Sequence, residues 1–185
     1  MPSLASRCLL LALLVLPPAS PAFAQPASDP VFDAAFASFT KARQGDAAQL
    51  DAAIAAFQTT PGNPVMKPVF AAYLGSTYTL QGKAAWMPWN KMKYTDKGLD
   101  AIDQALATLR PEHDRLLVQG VPVSLATRIV AAATFVAVPD GLFHRRAAGK
   151  TLLDEMRRSP LLATTPAGFR AELEAVEARL KEAEK

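Results

Sequence analysis

The stretch YLGSTYTLQGKAAWMPWNKMKYTDKGLDAIDQAL, Tyr73 to Leu106, decides how this chain folds. Its apolar residues Met92, Leu99, Ile102 and Leu106 continue to Leu109 at spacings of seven, three, four and three. Only a helix turns residues so spaced to one side. Pro88 suits the first position of that helix, where a fixed φ helps and the missing N–H has no partner to lose. Pro111 closes it. Upstream, Val65, Val69, Phe70, Tyr73, Leu74 and Tyr78 mark a preceding helix over about Pro64 to Leu80. Pro68 is tolerable only in its first turn, which moves the start toward Lys67, and Gly82 is expected to end it. Lys83 to Lys91 (KAAWMPWNK) then reads as a long linker holding both tryptophans. Together these segments predict a helix hairpin over residues 64–110.

The same pattern extends in both directions. Asp29-Pro30 reads as an N-cap followed by proline at the first helical position, and Val31, Phe32, Ala35, Phe36 and Phe39 follow at helical spacing. Gly45 stops that helix and Asp46 caps a second, which carries Leu50, Ala53, Ile54 and Phe57 on one face. TTPGNP, Thr59 to Pro64, ends it, so a first hairpin covers residues 30–58. C-terminal helices are expected within residues 112–184: Glu112 to Gln119, Leu125 to Val136 capped by Ser124, Leu142 to Met156, and a last one opened by Thr165-Pro166. Phe169, Leu173, Val176 and Leu180 form the stripe of that last helix. No segment alternates with a period of two, so no sheet is expected. The fold class is all-α, one domain over residues 29–185.

Two apolar stretches need a membrane check. Leu9 to Leu16 follows Arg7 and precedes Pro17-Pro18 and Ala22-Phe23-Ala24, the layout of a secretory signal peptide over residues 1–24 cleaved after Ala24. Residues 25–28 are then a short polar lead, expected to be mobile. Cys8, the only cysteine, would leave with the signal, so a periplasmic or secreted mature chain would hold together without disulfides. Val121 to Val138 is bounded by prolines and carries Arg128 near its middle, where a charge is costly in lipid. It reads as a buried helix, and no stable membrane insertion is expected. The net charge is +3, and no basic run exceeds Arg145-Arg146 or Arg157-Arg158. Nucleic-acid binding, which needs a broad basic face, is excluded.

The hairpins resemble tetratricopeptide (TPR-like) repeats. In the second, Leu74-Gly75, Tyr78 and Gly82 stand like the Leu-Gly, Tyr and Gly of the repeat's first helix. Gly98, Ile102 and Ala105 stand like the small, bulky and small residues of its second. The first hairpin matches through Ser38, Gly45, Ile54 and the closing prolines. The linker is longer than the repeat's turn, and Pro111 falls one place late. The resemblance implies stacked antiparallel helix hairpins, a TPR-like α-solenoid, with the C-terminal helices as caps. It also implies a groove that binds an envelope or secreted protein or peptide without catalysis.

The linker and the helix after it hold the candidate site: Trp86, Trp89, Asn90, Lys91, Lys93, Tyr94 and Lys97. Segment 61–98 has five lysines against one acid, so aromatic faces and ammonium groups there suit an acidic peptide, a small anionic ligand or a lipid head group. Trp89 also fits the Met92/Leu99 stripe and is expected in the core. Trp86 with Lys93 would form a rim, and the linker a lid. Ala148-Gly149-Lys150-Thr151 lacks the earlier glycine and the strand of a phosphate loop and reads as helix interior. His113 and His144 have no companion at metal-ligand spacing, and neither G-x-S-x-G nor H-E-x-x-H occurs. No metal, cofactor or enzymatic activity is expected; an undetected hydrolase is the one catalytic alternative.

Overall fold

The computed structural model describes residues 29–185, and over them the chain is all-α. The helices are α1 (Pro30–Arg43), α2 (Ala48–Gln58), α3 (Lys67–Ala84), α4 (Pro88–Ala107), α5 (Val123–Ala137), α6 (Asp140–Phe143), α7 (Arg146–Arg158) and α8 (Ala167–Ala183). The expected signal peptide (1–24) and polar lead (25–28) lie outside the described residues. α1 starts as its cap demands: the Asp29 carboxylate accepts from the N–H of Val31 at 2.9 Å and of Phe32 at 3.1 Å. Gly45, at φ +105°, turns the chain toward α2, and Asp46 accepts from Ala48 N–H at 3.1 Å.

Several expectations need correction. α3 passes through Gly82 and ends at Ala84, so only Ala85 to Met87 separate it from α4. Gly82 is there for proximity: a Cβ on it would lie 2.6 Å from Thr95 Oγ1 and 2.9 Å from the Lys91 carbonyl. The long linker, and with it the lid, does not exist. Glu112 to Gln119 is not a helix. A 3-10 turn (Pro111–Asp114) leads into β1 (Leu117–Val118), which pairs antiparallel with β2 (Val121–Pro122). Gln119 and Gly120, at φ +50° and +78°, supply the two left-handed residues that a tight hairpin turn wants. This small hairpin also corrects the expectation of no sheet. Ser124 caps nothing: α5 begins at Val123 after Pro122, and the buried Ser124 hydroxyl has no partner. The helix expected over Leu142 to Met156 is broken, because His144 at φ +52° ends α6. α7 then starts afresh, with the Asp140 carboxylate accepting from Arg146 N–H at 2.8 Å.

Helices pack in a regular order: α1 with α2, α3 with α4, and α5 with α7. α3 also packs on α1 and α2, α5 on α3 and α4, and α8 on α5 and α7. Gly75 of α3 lies against Gly98 and Ile102 of α4, and Gly82 lies against Thr95 and Lys91, so the two helices run antiparallel. Burial from several sides explains the apolar composition of α5. Its Arg128 sits at the edge, 3.7 Å from Glu155. Among the described residues no helix is long and apolar enough to cross a membrane.

The N-terminal core is an aromatic knot of Phe32, Phe36, Phe39, Phe57, Phe70 and Tyr73. Tyr73 stacks on Phe57 at 5.3 Å and meets Phe32 and Phe39 edge-on at 5.4 and 5.1 Å. Burial, helped by the charge of Glu172 and opposed by Arg43, pushes its phenol well above the ordinary tyrosine range. The neutral form is therefore favoured in the folded state, and its contribution to stability is complete below the ordinary tyrosine pKa and lost above it. Stability should fall above about pH 10, by up to about 1.4 kcal/mol per pH unit from this group. Urea titrations at rising pH would measure this, and Tyr73→Phe is expected to flatten that part of the profile. An unchanged slope would remove Tyr73 as its source.

Candidate functional site

The three-residue connection between α3 and α4 forces the side chains at its corner outward. Trp86 is 88% exposed, Trp89 65% and Met87 41%, so the expected place of Trp89 in the core is corrected. The helical stripe is genuine but begins later, with Thr95, Gly98, Leu99, Ile102 and Ala105 as its buried members. Trp89 stands nine residues, about two and a half turns, before Gly98, which puts it on the side of α4 opposite that buried face.

The expected cluster is divided by the helix turn. Trp89, Lys93 and Lys97 follow one another four residues apart along one outer line of α4. Lys93 is exposed, while Lys97 Nζ sits 3.8 Å above the Tyr78 ring and is thereby tied to α3. Asn90 and Tyr94 are half-buried. Lys91 is exposed on a different side, where it lines a cleft with Met92 and Thr95. Of the seven expected residues, only Lys91 belongs to that cleft.

The cleft measures about 510 Å³ and is bounded by α3, α4, α5 and α6. Arg43 at the end of α1 and Arg179 of α8 also reach it. Its floor joins α3 to α5 through Ser76 and Thr134, whose hydroxyl oxygens lie 3.0 Å apart. α5 and the turn after it contribute Ala133, Ala137, Val138 and Pro139, and α6 contributes Leu142 and Phe143. α6 is held in place from behind: Arg145 grips Asp103 of α4 through two hydrogen bonds of 3.1 and 2.6 Å and covers the Phe135 ring at 5.3 Å. The left-handed His144 makes the bend that aims Leu142 and Phe143 at the cleft.

Four cations line this cleft, Arg43, Lys83, Lys91 and Arg179, and no acidic side chain does. Arg43 is engaged, 3.1 Å from Glu172. Among the described residues Lys83, Lys91 and Arg179 make no salt bridge. Sequence reasoning reached Lys83 and Lys91 as the ends of KAAWMPWNK but missed Arg43, Arg179, Leu142 and Phe143. No local signal marks those four, because they come together from distant parts of the chain.

A second hollow of about 560 Å³ lies between α5, α7 and the 3-10 turn Pro160–Thr164, and the unpartnered Ser124 lines it with Asp114, Arg128 and Glu155. His113 is buried elsewhere, its ring Nδ1 accepting from the Arg110 N–H at 2.7 Å. Lys150 is an exposed residue inside α7, 3.5 Å from Glu184. Among the described residues no three His, Cys, Asp or Glu side chains gather as a metal site requires. No family model, no curated protein and no solved structure matches this chain.

Proposed function

We propose that the chain is an exported, non-catalytic interaction module that binds an envelope or secreted protein or peptide, using the α3–α4 corner beside its helical groove. The observation that carries this reading is the outward presentation of Trp86, Met87 and Trp89, with Lys93 and Lys97 exposed along the same line of α4 as Trp89. Large apolar side chains are costly to leave in water, and Trp and Met are enriched where partners meet. The lysines select a partner surface that is acidic.

A TPR-like solenoid is the finer fold reading, and two features support it. The small residues Gly75 and Gly98 meet where α3 and α4 touch, as the small positions of the repeat would. The order of packing, in which each hairpin's first helix rests on both helices of the hairpin before it, is that of a stacked array. On this reading α5 and α7 make a third hairpin and α8 caps the stack.

The test is affinity capture from the source's cell envelope, comparing the natural protein with a Trp86→Ala, Lys93→Ala variant. Both side chains are exposed, so the variant should fold normally. A stoichiometric protein partner is expected with the natural chain. Its affinity should drop at least about tenfold in the variant, since anchoring aromatics typically contribute ~2 kcal/mol or more. Equal capture by both forms would remove the corner from the contact surface. The cleft favours a second reading, binding of a small anion, which does not involve Trp86.

A further inference from the structure

We infer that the cleft between α3, α4, α5 and α6 binds a small amphiphilic anion, a single alkyl or acyl chain ending in a carboxylate or phosphate head. This develops the second reading and stands apart from partner binding at the corner, because neither Trp86 nor Trp89 lines the cleft.

Charge is the first argument. Lys83, Lys91 and Arg179 converge from three helices on one opening that no carboxylate lines. Like charges brought together repel unless an anion joins them, and Arg43 shows what such a partner does, being already paired with Glu172. The second argument is apolar surface. Leu142 is 62% exposed and Met92 40% exposed on the rim, and Leu80, Val138 and Phe143 continue the wall inward. Each square ångström of that wall removed from water contributes roughly 25 cal/mol. A simple inorganic anion would leave the wall wet, and an uncharged hydrocarbon would leave the cations unpaired. Only a molecule with both parts satisfies both.

Size and polarity agree. The volume of about 510 Å³ falls inside the range of roughly 300–1,000 Å³ usual for small-molecule sites. Thr95 lines the cleft at 7% exposure, and its hydroxyl makes no hydrogen bond among the described residues, so it is free to meet a head group beside Lys91. A peptide is a poorer occupant. Its backbone would need donors and acceptors along its length, and the apolar wall formed by Leu80, Val138, Leu142 and Phe143 supplies few.

Isothermal titration calorimetry of the purified protein tests this with decanoate, decyl phosphate, acetate and decyltrimethylammonium. Decanoate or decyl phosphate is expected to bind at least about tenfold more tightly than acetate or the cation, because charge-assisted contacts and chain burial act together. Whichever of the two binds more tightly identifies the head group. A Lys83→Gln, Lys91→Gln variant, altered only at exposed positions, should lose about tenfold in affinity for the anion. Leu142→Asp should weaken it as well, and Trp86→Ala should leave it unchanged. Equal binding of anion and cation, no binding of either anion, or an unchanged affinity in the lysine variant would each overturn the inference. Loss of binding in Trp86→Ala would likewise overturn it by moving the site to the corner.

Discussion

Phe32→Ala is expected to cost about 3–5 kcal/mol of folding stability. The ring is 1% exposed and packs against Phe36, Phe57, Phe70 and Tyr73 at centroid distances of 6.0, 6.0, 5.6 and 5.4 Å. Truncation removes the transfer free energy of the ring and leaves a cavity bounded by α1, α2 and α3. Those helices hold one another at fixed spacing, so the void closes only in part. A domain of this size is stable by roughly 5–15 kcal/mol, so the loss is a large share of the whole. It should lower the melting midpoint by roughly 10–15 °C. Urea denaturation followed by far-ultraviolet circular dichroism would measure it. Tryptophan emission would serve poorly, because both tryptophans are already in solvent. Phe36→Ala, at a half-buried position, should cost clearly less. If the two variants were equally mild, the aromatic knot would not be the packed centre of the N-terminal half.

Gly98→Ala should destabilise the chain by about 1–3 kcal/mol, although alanine is the better helix former. Two effects oppose each other here. Intrinsic propensity favours alanine over glycine in a helix interior by about 1 kcal/mol. Against that, a Cβ at Gly98 would strike the Gly75 carbonyl oxygen and come within 2.7 Å of Thr79 Cγ2. The carbonyl belongs to α3's own hydrogen-bonded backbone and has no rotamer to move to, so α3 and α4 must separate. That separation also loosens Ile102, which is fully buried beside Gly75. Gly168→Ala is the control. It lies in the first turn of α8 with nothing within 4 Å of the added Cβ, and it should gain up to about 1 kcal/mol. Denaturant midpoints of the two variants should move in opposite directions. A stabilised Gly98→Ala would mean that the helices are not in backbone contact.

The stretch from Tyr73 to Leu106 was informative because helical spacing and close packing leave a mark on the residues themselves. Gly75 and Gly98 occupy the points of closest approach, where only a hydrogen fits, and Ile102 fills the space beside them. Asp29-Pro30 was equally legible, since a cap acts over two or three residues. The errors fell where one residue type has two uses. Gly82 looked like a helix terminus and is a contact point. Trp89 shared the spacing of Met92 and Leu99, but lies on the side of α4 opposite its buried face. Gln119 was expected to end a helix and, with Gly120, forms a hairpin turn.

Sequence by itself therefore determined the all-α class and the main helix pairs, because periodicity and caps act over one to a few turns. Tertiary structure alone decided which side of α4 each lysine faces, that the two tryptophans stay in water, and that a cleft exists. Lys91 and Lys93 differ by two residues, and a helix sends such neighbours to opposite sides. Arg43, Lys83 and Arg179 share an opening only because α1, α3 and α8 are brought together by the core between them. Convergence of this kind depends on long-range packing, and no local pattern records it.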